Sequence, residues 1–147
     1  MTVLSITPIG PYDLKLCLRV AKSFSPDPDQ DVSVLRTAVR VQGSPVLLEL
    51  RQVHRDPPVL EVSIDLTDSS SEVTRIAGWI VMADLDLRPF YRTAASHPVL
   101  GPITKEISGL KPTRPASLFE MLVIAVTEQQ ISTEAAHHIR TRIIEAY

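Results

Sequence analysis

The chain has 147 residues, a single cysteine, and 15 Lys and Arg against 17 Asp and Glu, for a formal net charge of −2. That length fits one ordinary domain or two small ones, and one cysteine excludes an internal disulfide and suits a reducing cytoplasm, the expected location. The opening MTVLSITPIGPY has no basic n-region and its short apolar run is broken by prolines, so it does not read as a secretory signal. No apolar run approaches the roughly 18–20 residues that span a bilayer, so no membrane partner is expected, and the total charge shows no basic surplus of the kind that grips phosphates.

In chain order, YDLKLCLRV alternates Leu14, Leu16, Leu18 and Val20 with Lys15, Cys17 and Arg19, a period of two that predicts a half-buried strand with Cys17 as a packing residue. KSFSPDPDQD reads as a loop. VLRTAVRV at 34–41 and PVLLELRQV at 45–53 are β-branched and partly alternating, separated by Gln42, Gly43 and Ser44, a hairpin-sized gap. After the break RDPP, VLEVSIDL at 59–66 alternates Leu60, Val62, Ile64 and Leu66 with polar residues. Consecutive strands with short gaps imply an antiparallel sheet.

The pattern changes at TDSSSEV. Ser69 and Glu72 have capping-box spacing, and Val73, Ile76, Ala77, Ile80 and Val81 follow a helical stripe, with Trp79 beside it as a packing residue. A second helix is expected near Asp86 with Pro89 in its first turn, then a short helical piece within 97–110, and KPTRPA as a stiff connector. Ser117 and Glu120 form another capping box before a segment that is apolar nearly all round, as expected of a helix buried in a core. Ser132 can cap a final helix, with Glu134 in its first turn and Ala135, Ala136, Ile139, Ile143 and Ala146 as its apolar stripe. The organisation is therefore α+β: an antiparallel sheet domain over 1–67, then an all-helical segment over 68–147.

Recognisable catalytic chemistry is missing. The acidic stretch DPDQDV lacks the glycine and glutamate that a calcium loop needs, since Val32 and Ala38 stand there. His137 and His138 are neighbours and share no helix face, so they predict one surface and one semi-buried histidine rather than a metal site. His54 and His97 sit at loop edges without zinc-type spacing, and there is no nucleophile elbow, phosphate loop or dinucleotide fingerprint. No metal and no cofactor are expected.

The second half goes further. DLDLRPFYRTAASHPVLGPI, GLKPTRPASLFEMLVIAVTEQQIS and AAHHIRTRIIEAY together resemble the approach to the catalytic domain of helix-hairpin-helix DNA glycosylases, nearest the DNA-3-methyladenine glycosylase II branch, with the 8-oxoguanine glycosylases next. The resemblance rests on 84–87, Phe90, Tyr91, Gly109, Leu110, Pro112, Arg114, Phe119, Glu120, Leu122, Gln129, Gln130, Ser132, Ala135 and Ala136, and covers roughly 84–147. It implies a repair enzyme that rotates a damaged, alkylated or oxidised nucleotide out of duplex DNA, at a cost of a few kcal/mol in stacking and pairing. Gln130 matches the family's gap-filling position, and an amide offers a flat surface with both donor and acceptor. Gln129 beside it and Ser132, at a helix N-terminus able to receive a phosphate, complete the expected DNA-binding set.

The family's glycine-rich hairpin and catalytic aspartate have no match, because Gly10, Gly43, Gly78, Gly101 and Gly109 stand in other contexts. The sequence thus reads as the N-terminal portion of such an enzyme, truncated before the hairpin, without catalytic residues and inactive by itself. Bare apolar surface on the 118–129 helix would then favour self-association. The competing readings are a non-enzymatic α+β binding or regulatory module, in which the two glutamines only solvate a helix end, and a domain that merely braces a catalytic partner.

Overall fold

The computed structural model describes residues 2–22, 31–65 and 70–146. Four strands, β1 (Thr2–Ile6), β2 (Val34–Val41), β3 (Ser44–Arg55) and β4 (Pro58–Ile64), form one antiparallel sheet in the spatial order β1-β4-β3-β2. Helix α1 (Leu14–Lys22) lies between β1 and β2 in the chain. After the sheet come α2 (Ser70–Ile80), α3 (Arg88–Ala94), α4 (Leu100–Glu106), α5 (Leu118–Thr127) and α6 (Thr133–Ala146). This is the α+β architecture expected from the sequence. Among the described residues no helix is long and apolar enough to cross a membrane.

The three longer strands follow their alternation. Leu35 pairs with Leu50, Leu50 with Val62 and Val62 with Leu4, placing one apolar row across the sheet. Leu48, Leu50, Leu60, Val62 and Ile64 are almost wholly buried on that face, each contributing on the order of 1.5–3 kcal/mol relative to exposure. On the opposite face Glu49 accepts from Arg36 at 2.8 Å and from Arg51 at 2.7 Å, in the open. The β2–β3 turn is Gln42–Gly43, with φ of 49° and 83°, the two positive values that a primed hairpin turn requires and that glycine supplies freely. Asp56 and Pro57 join β3 to β4.

Residues 14–20 are the clear correction: they form helix α1, not a strand. Leu14, Cys17 and Leu18 are buried together against the sheet, the i, i+3, i+4 spacing of one helix face. The Asp13 carboxylate accepts from the Leu16 N–H at 3.0 Å and so starts the helix. The Leu14 N–H donates to the side-chain carbonyl of Gln52 at 2.8 Å, fixing the helix to β3. The strand at Thr2–Ile6 is an addition, since five residues are too few for alternation to stand out. Pairing with β4 makes it a strand, with Leu4 opposite Val62 and Ile6 opposite Leu60.

The α2 stripe packs as expected: Val73, Ala77, Ile80 and Val81 are buried and complete the core on the same side of the sheet, with Ile76 partly buried against it. The expected cap Ser69 and the dividing residue Thr67 lie outside the described residues, as does most of the 22–31 loop. At α3, Pro89 occupies the first turn and the Asp86 carboxylate accepts from the Arg88 backbone at 2.9 Å. The Arg88 guanidinium beside it, at 2.8 Å, holds the Asp86 carboxyl down at about 2. His97 sets the start of α4, its Nδ1 accepting from the Val99 and Leu100 N–H groups, both at 3.2 Å.

A polar junction ties the sheet layer to the later chain. Lys111 is only 1% exposed, and its Nζ donates to the Ile9 carbonyl at 2.9 Å. Its backbone N–H donates to the Cys17 sulfur at 3.2 Å, and the Cys17 thiol donates to the Gly109 carbonyl at 3.6 Å. Gly109 has φ +89°, and a Cβ there would stand 2.8 Å from the Asp13 nitrogen, so only glycine fits. Burial raises the Cys17 thiol and, further still, the Tyr12 phenol, and lowers the Lys111 ammonium. For Cys17 the folded state keeps its proton when the unfolded chain, at 9.0, has lost it. Its contribution is therefore intact below that value and declines as pH rises past it. Denaturant unfolding above pH 9 should show wild-type stability falling relative to Cys17→Ala, and parallel pH profiles for the two proteins would contradict this.

Candidate nucleic-acid interface

Helix α5 begins as its sequence specifies. The Ser117 hydroxyl accepts from the Glu120 N–H at 3.1 Å, and the Glu120 carboxylate reaches back to the Ala116 N–H at 2.7 Å, one residue before the cap. The helix is not sealed in the core, however, and no residue of it is buried. At 3.6 residues per turn, Leu118, Phe119, Met121, Leu122, Ala125 and Val126 cover an arc of roughly 160°, and every one of them is exposed. The side toward the protein is narrower and made of Val123, Ile124 and Thr127, all half-buried. The uniform apolarity misled because it specifies burial without saying by what.

The end of α5 is tightly specified. The Glu128 N–H donates to the Ile124 carbonyl at 3.0 Å and the Gln129 N–H to the Val126 carbonyl at 3.3 Å. Gln130 then takes φ +60°, the left-handed conformation that ends many helices and usually goes to glycine. Two residues on, the Ser132 hydroxyl accepts from the Ala135 N–H at 3.2 Å and starts α6. Gln129, Gln130 and Ser132 therefore stand together on one short exposed turn between two helices. Both ends of that turn are closed by their own hydrogen bonds, leaving the glutamine side chains projecting from a fixed backbone.

Helix α6 holds this turn from behind. Ala136 is wholly buried and Arg140, one turn later on the same face, is 8% exposed. Arg140 Nη1 donates to Glu128 Oε1 at 3.0 Å and approaches Thr127 Oγ1 at 3.4 Å. His138 is exposed, while His137 is half-buried with its Nε2 shielded and without a hydrogen-bond partner, the one-out, one-in arrangement expected of neighbours. Ile139, Ile143 and Ala146 are exposed, so much of the expected α6 stripe is also uncovered. The sequence reading overlooked Arg140. The available signal was its place four residues after Ala136, on the inward face.

The remaining motif residues act as fasteners. Arg114 lies over the Trp79 ring at 4.1 Å and reaches Asp84 at 3.7 Å, and its N–H donates to the Ile80 carbonyl at 2.8 Å. Trp79 is half exposed and donates to the Pro115 carbonyl at 3.3 Å, so it packs on the connector rather than in the core. The Tyr91 hydroxyl accepts from the Gly109 N–H at 3.1 Å. The segments 84–91 and 109–120 are thus bound to each other and to α2, and α5 leaves from that anchored base.

The fold has a counterpart among solved structures. The chain superposes on a 3-methyladenine DNA-glycosylase from Archaeoglobus fulgidus with a TM-score of 0.74 over 91% of its own length, at 19% sequence identity. The fold is glycosylase-like. The chain spans 47% of that glycosylase, about half its length. No family model and no curated protein sequence matches the chain. Gln129, Gln130 and Ser132, the residues singled out from sequence, fall on a single exposed turn, with α5 and α6 as its stems.

Proposed function

We propose that the chain is the DNA-facing part of a helix-hairpin-helix base-excision glycosylase of the 3-methyladenine type, and that Gln130 enters the space left when a damaged nucleotide rotates out of the duplex. The observation that carries this reading is the conformation of Gln130. A left-handed backbone costs a residue with a Cβ roughly 1–2 kcal/mol that glycine does not pay. Retaining a long amide at such a place, exposed and between two closed helix ends, favours a role for the side chain itself. The glycosylase-like fold and the sequence resemblance over 84–147 support the same reading.

In this proposal Gln129 and the Ser132 helix start contact the strand backbone beside the gap. The parent enzyme removes alkylated or oxidised bases, and the carboxylate and base pocket for that hydrolysis are assigned to no residue of 1–147. Purified chain is expected to release no base from alkylated duplex. Its self-association through the exposed arc of α5 belongs to the same proposal. The test is the affinity of the full chain for duplex holding an abasic site against intact duplex. Wild-type protein should prefer the abasic site, and Gln130→Ala should lower that preference about tenfold, equivalent to ~1.4 kcal/mol. Equal affinity of wild-type protein for both duplexes would remove the proposal.

A second reading has one observation behind it. A groove of about 890 Å³ runs between β2, α2 and the start of α5, lined by Arg40, Arg75, Trp79, Phe119 and Glu120 among others. A binding module without DNA would use that groove, and the two glutamines would be inert.

A further inference from the structure

We infer that Arg140 is a positioning residue for the Gln129–Gln130 turn, holding the end of α5 at the angle from which Gln130 points outward. This rests on the proposed role of Gln130 and extends it to a residue that is itself buried. Arg140 belongs to α6, yet its side chain, 9% exposed, crosses to the far end of α5. There Nη1 donates to Glu128 Oε1 at 3.0 Å, one residue before Gln129. The same nitrogen lies 3.4 Å from Thr127 Oγ1, whose hydroxyl is 2.8 Å from the Val123 carbonyl and 3.1 Å from that of Ile124. The guanidinium therefore reaches the C-terminal end of α5 through the Thr127 hydroxyl, where a cation is favoured by the helix dipole.

The packing makes this clasp consequential. Only Val123, Ile124 and Thr127 of α5 turn toward the protein, and none of them is fully buried. A helix held on so narrow a strip has little apolar contact to fix its rotation, so directional polar contacts at its end weigh more. A planar guanidinium supplies two fixed directions at once, which an ammonium cannot. Only the guanidinium is shielded, at 9% exposed against 38% for the carboxylate, and the water it loses offsets much of the attraction, so the pair adds little net stability. Definition of geometry is what such a pair does well. Glu128 and Gln130 are two residues apart, so a few degrees of helix rotation at the clasp become a displacement of the amide at the duplex.

The experiment compares Arg140→Lys and Glu128→Gln with wild type in the full chain, reading the ratio of affinities for abasic-site and intact duplex, each also in the Gln130→Ala background. The expected result is a fall of about fivefold to tenfold in that ratio for either variant, with affinity for intact duplex little changed. In Gln130→Ala the same substitutions should cause no further fall, as coupled residues do. A ratio unchanged in both variants, or losses that add to that of Gln130→Ala, would overturn the inference. Glu128→Gln keeps the test decisive if Arg140→Lys does not fold, since that glutamate is partly solvated. If Gln130→Ala alone leaves the ratio unchanged, the proposed function fails first. If Gln130→Ala lowers the ratio and the clasp variants do not, only the role of Arg140 falls.

Discussion

Gln130→Gly is expected to stabilise the chain while removing its preference for an abasic site. Glycine occupies φ +60° without the contact that a Cβ makes there, so the folded state loses strain. Greater freedom of the unfolded chain offsets part of that gain, leaving about 0.5–1 kcal/mol. For a chain of this size that raises the midpoint of thermal unfolding by about 1–4 °C. The amide is gone in the same variant, so preference for the abasic duplex should fall about tenfold, as for Gln130→Ala, which keeps the strained backbone. The pair of substitutions separates two explanations for glutamine at this turn. If the residue serves only to end the helix, glycine improves stability with no effect on DNA. A fall in melting temperature for Gln130→Gly would mean that the side chain has a structural partner, and the functional argument would lose its footing.

Phe119→Glu together with Leu122→Glu is expected to prevent the self-association proposed for the wild-type chain. These side chains are 76% and 54% exposed and lie in the apolar arc of α5, so charging them removes few folded-state contacts. A continuous apolar strip of this kind is unusual on an isolated soluble chain and drives association. Burying two such side chains in an interface supplies roughly 3 kcal/mol, so association should weaken on the order of a hundredfold. Light scattering at increasing concentration measures it. Wild-type protein that stays a sharp monomer throughout would refute the proposed self-association.

The parts of the fold that were legible in the sequence are those where one period stood alone. β2, β3 and β4 alternate over seven or more residues, and the α2 stripe repeats through three turns. LKLCLRV satisfied two periods at once. Leu14, Leu16 and Leu18 alternate, but Leu14, Cys17 and Leu18 also share a helix face, and over so short a window the choice falls to Asp13, whose carboxylate starts the helix. Helix α5 was placed correctly by its capping box and misplaced in depth, because the side chains record a need for cover and not its source. At the candidate interface, the glutamines and Ser132 stood out as polar residues ending an apolar run. The positive φ of Gln130 was not readable, since glutamine gives no sign of it, and the clasp from Arg140 depends on where a second helix returns.

The junction at Lys111 has a consequence for dissecting the chain. Its ammonium is bonded to a carbonyl of residue 9, its backbone to a sulfur of α1, and Val73, Ala77 and Ile80 fill the hollow beneath the sheet. Cutting the polypeptide between 65 and 70 would divide one shared interior between two pieces, with the sheet side keeping most of it. Neither 1–67 nor 68–147 expressed separately should give a cooperative melt, whereas mixing the two should restore one, which makes the pair a ready split-protein reporter of their own reassembly.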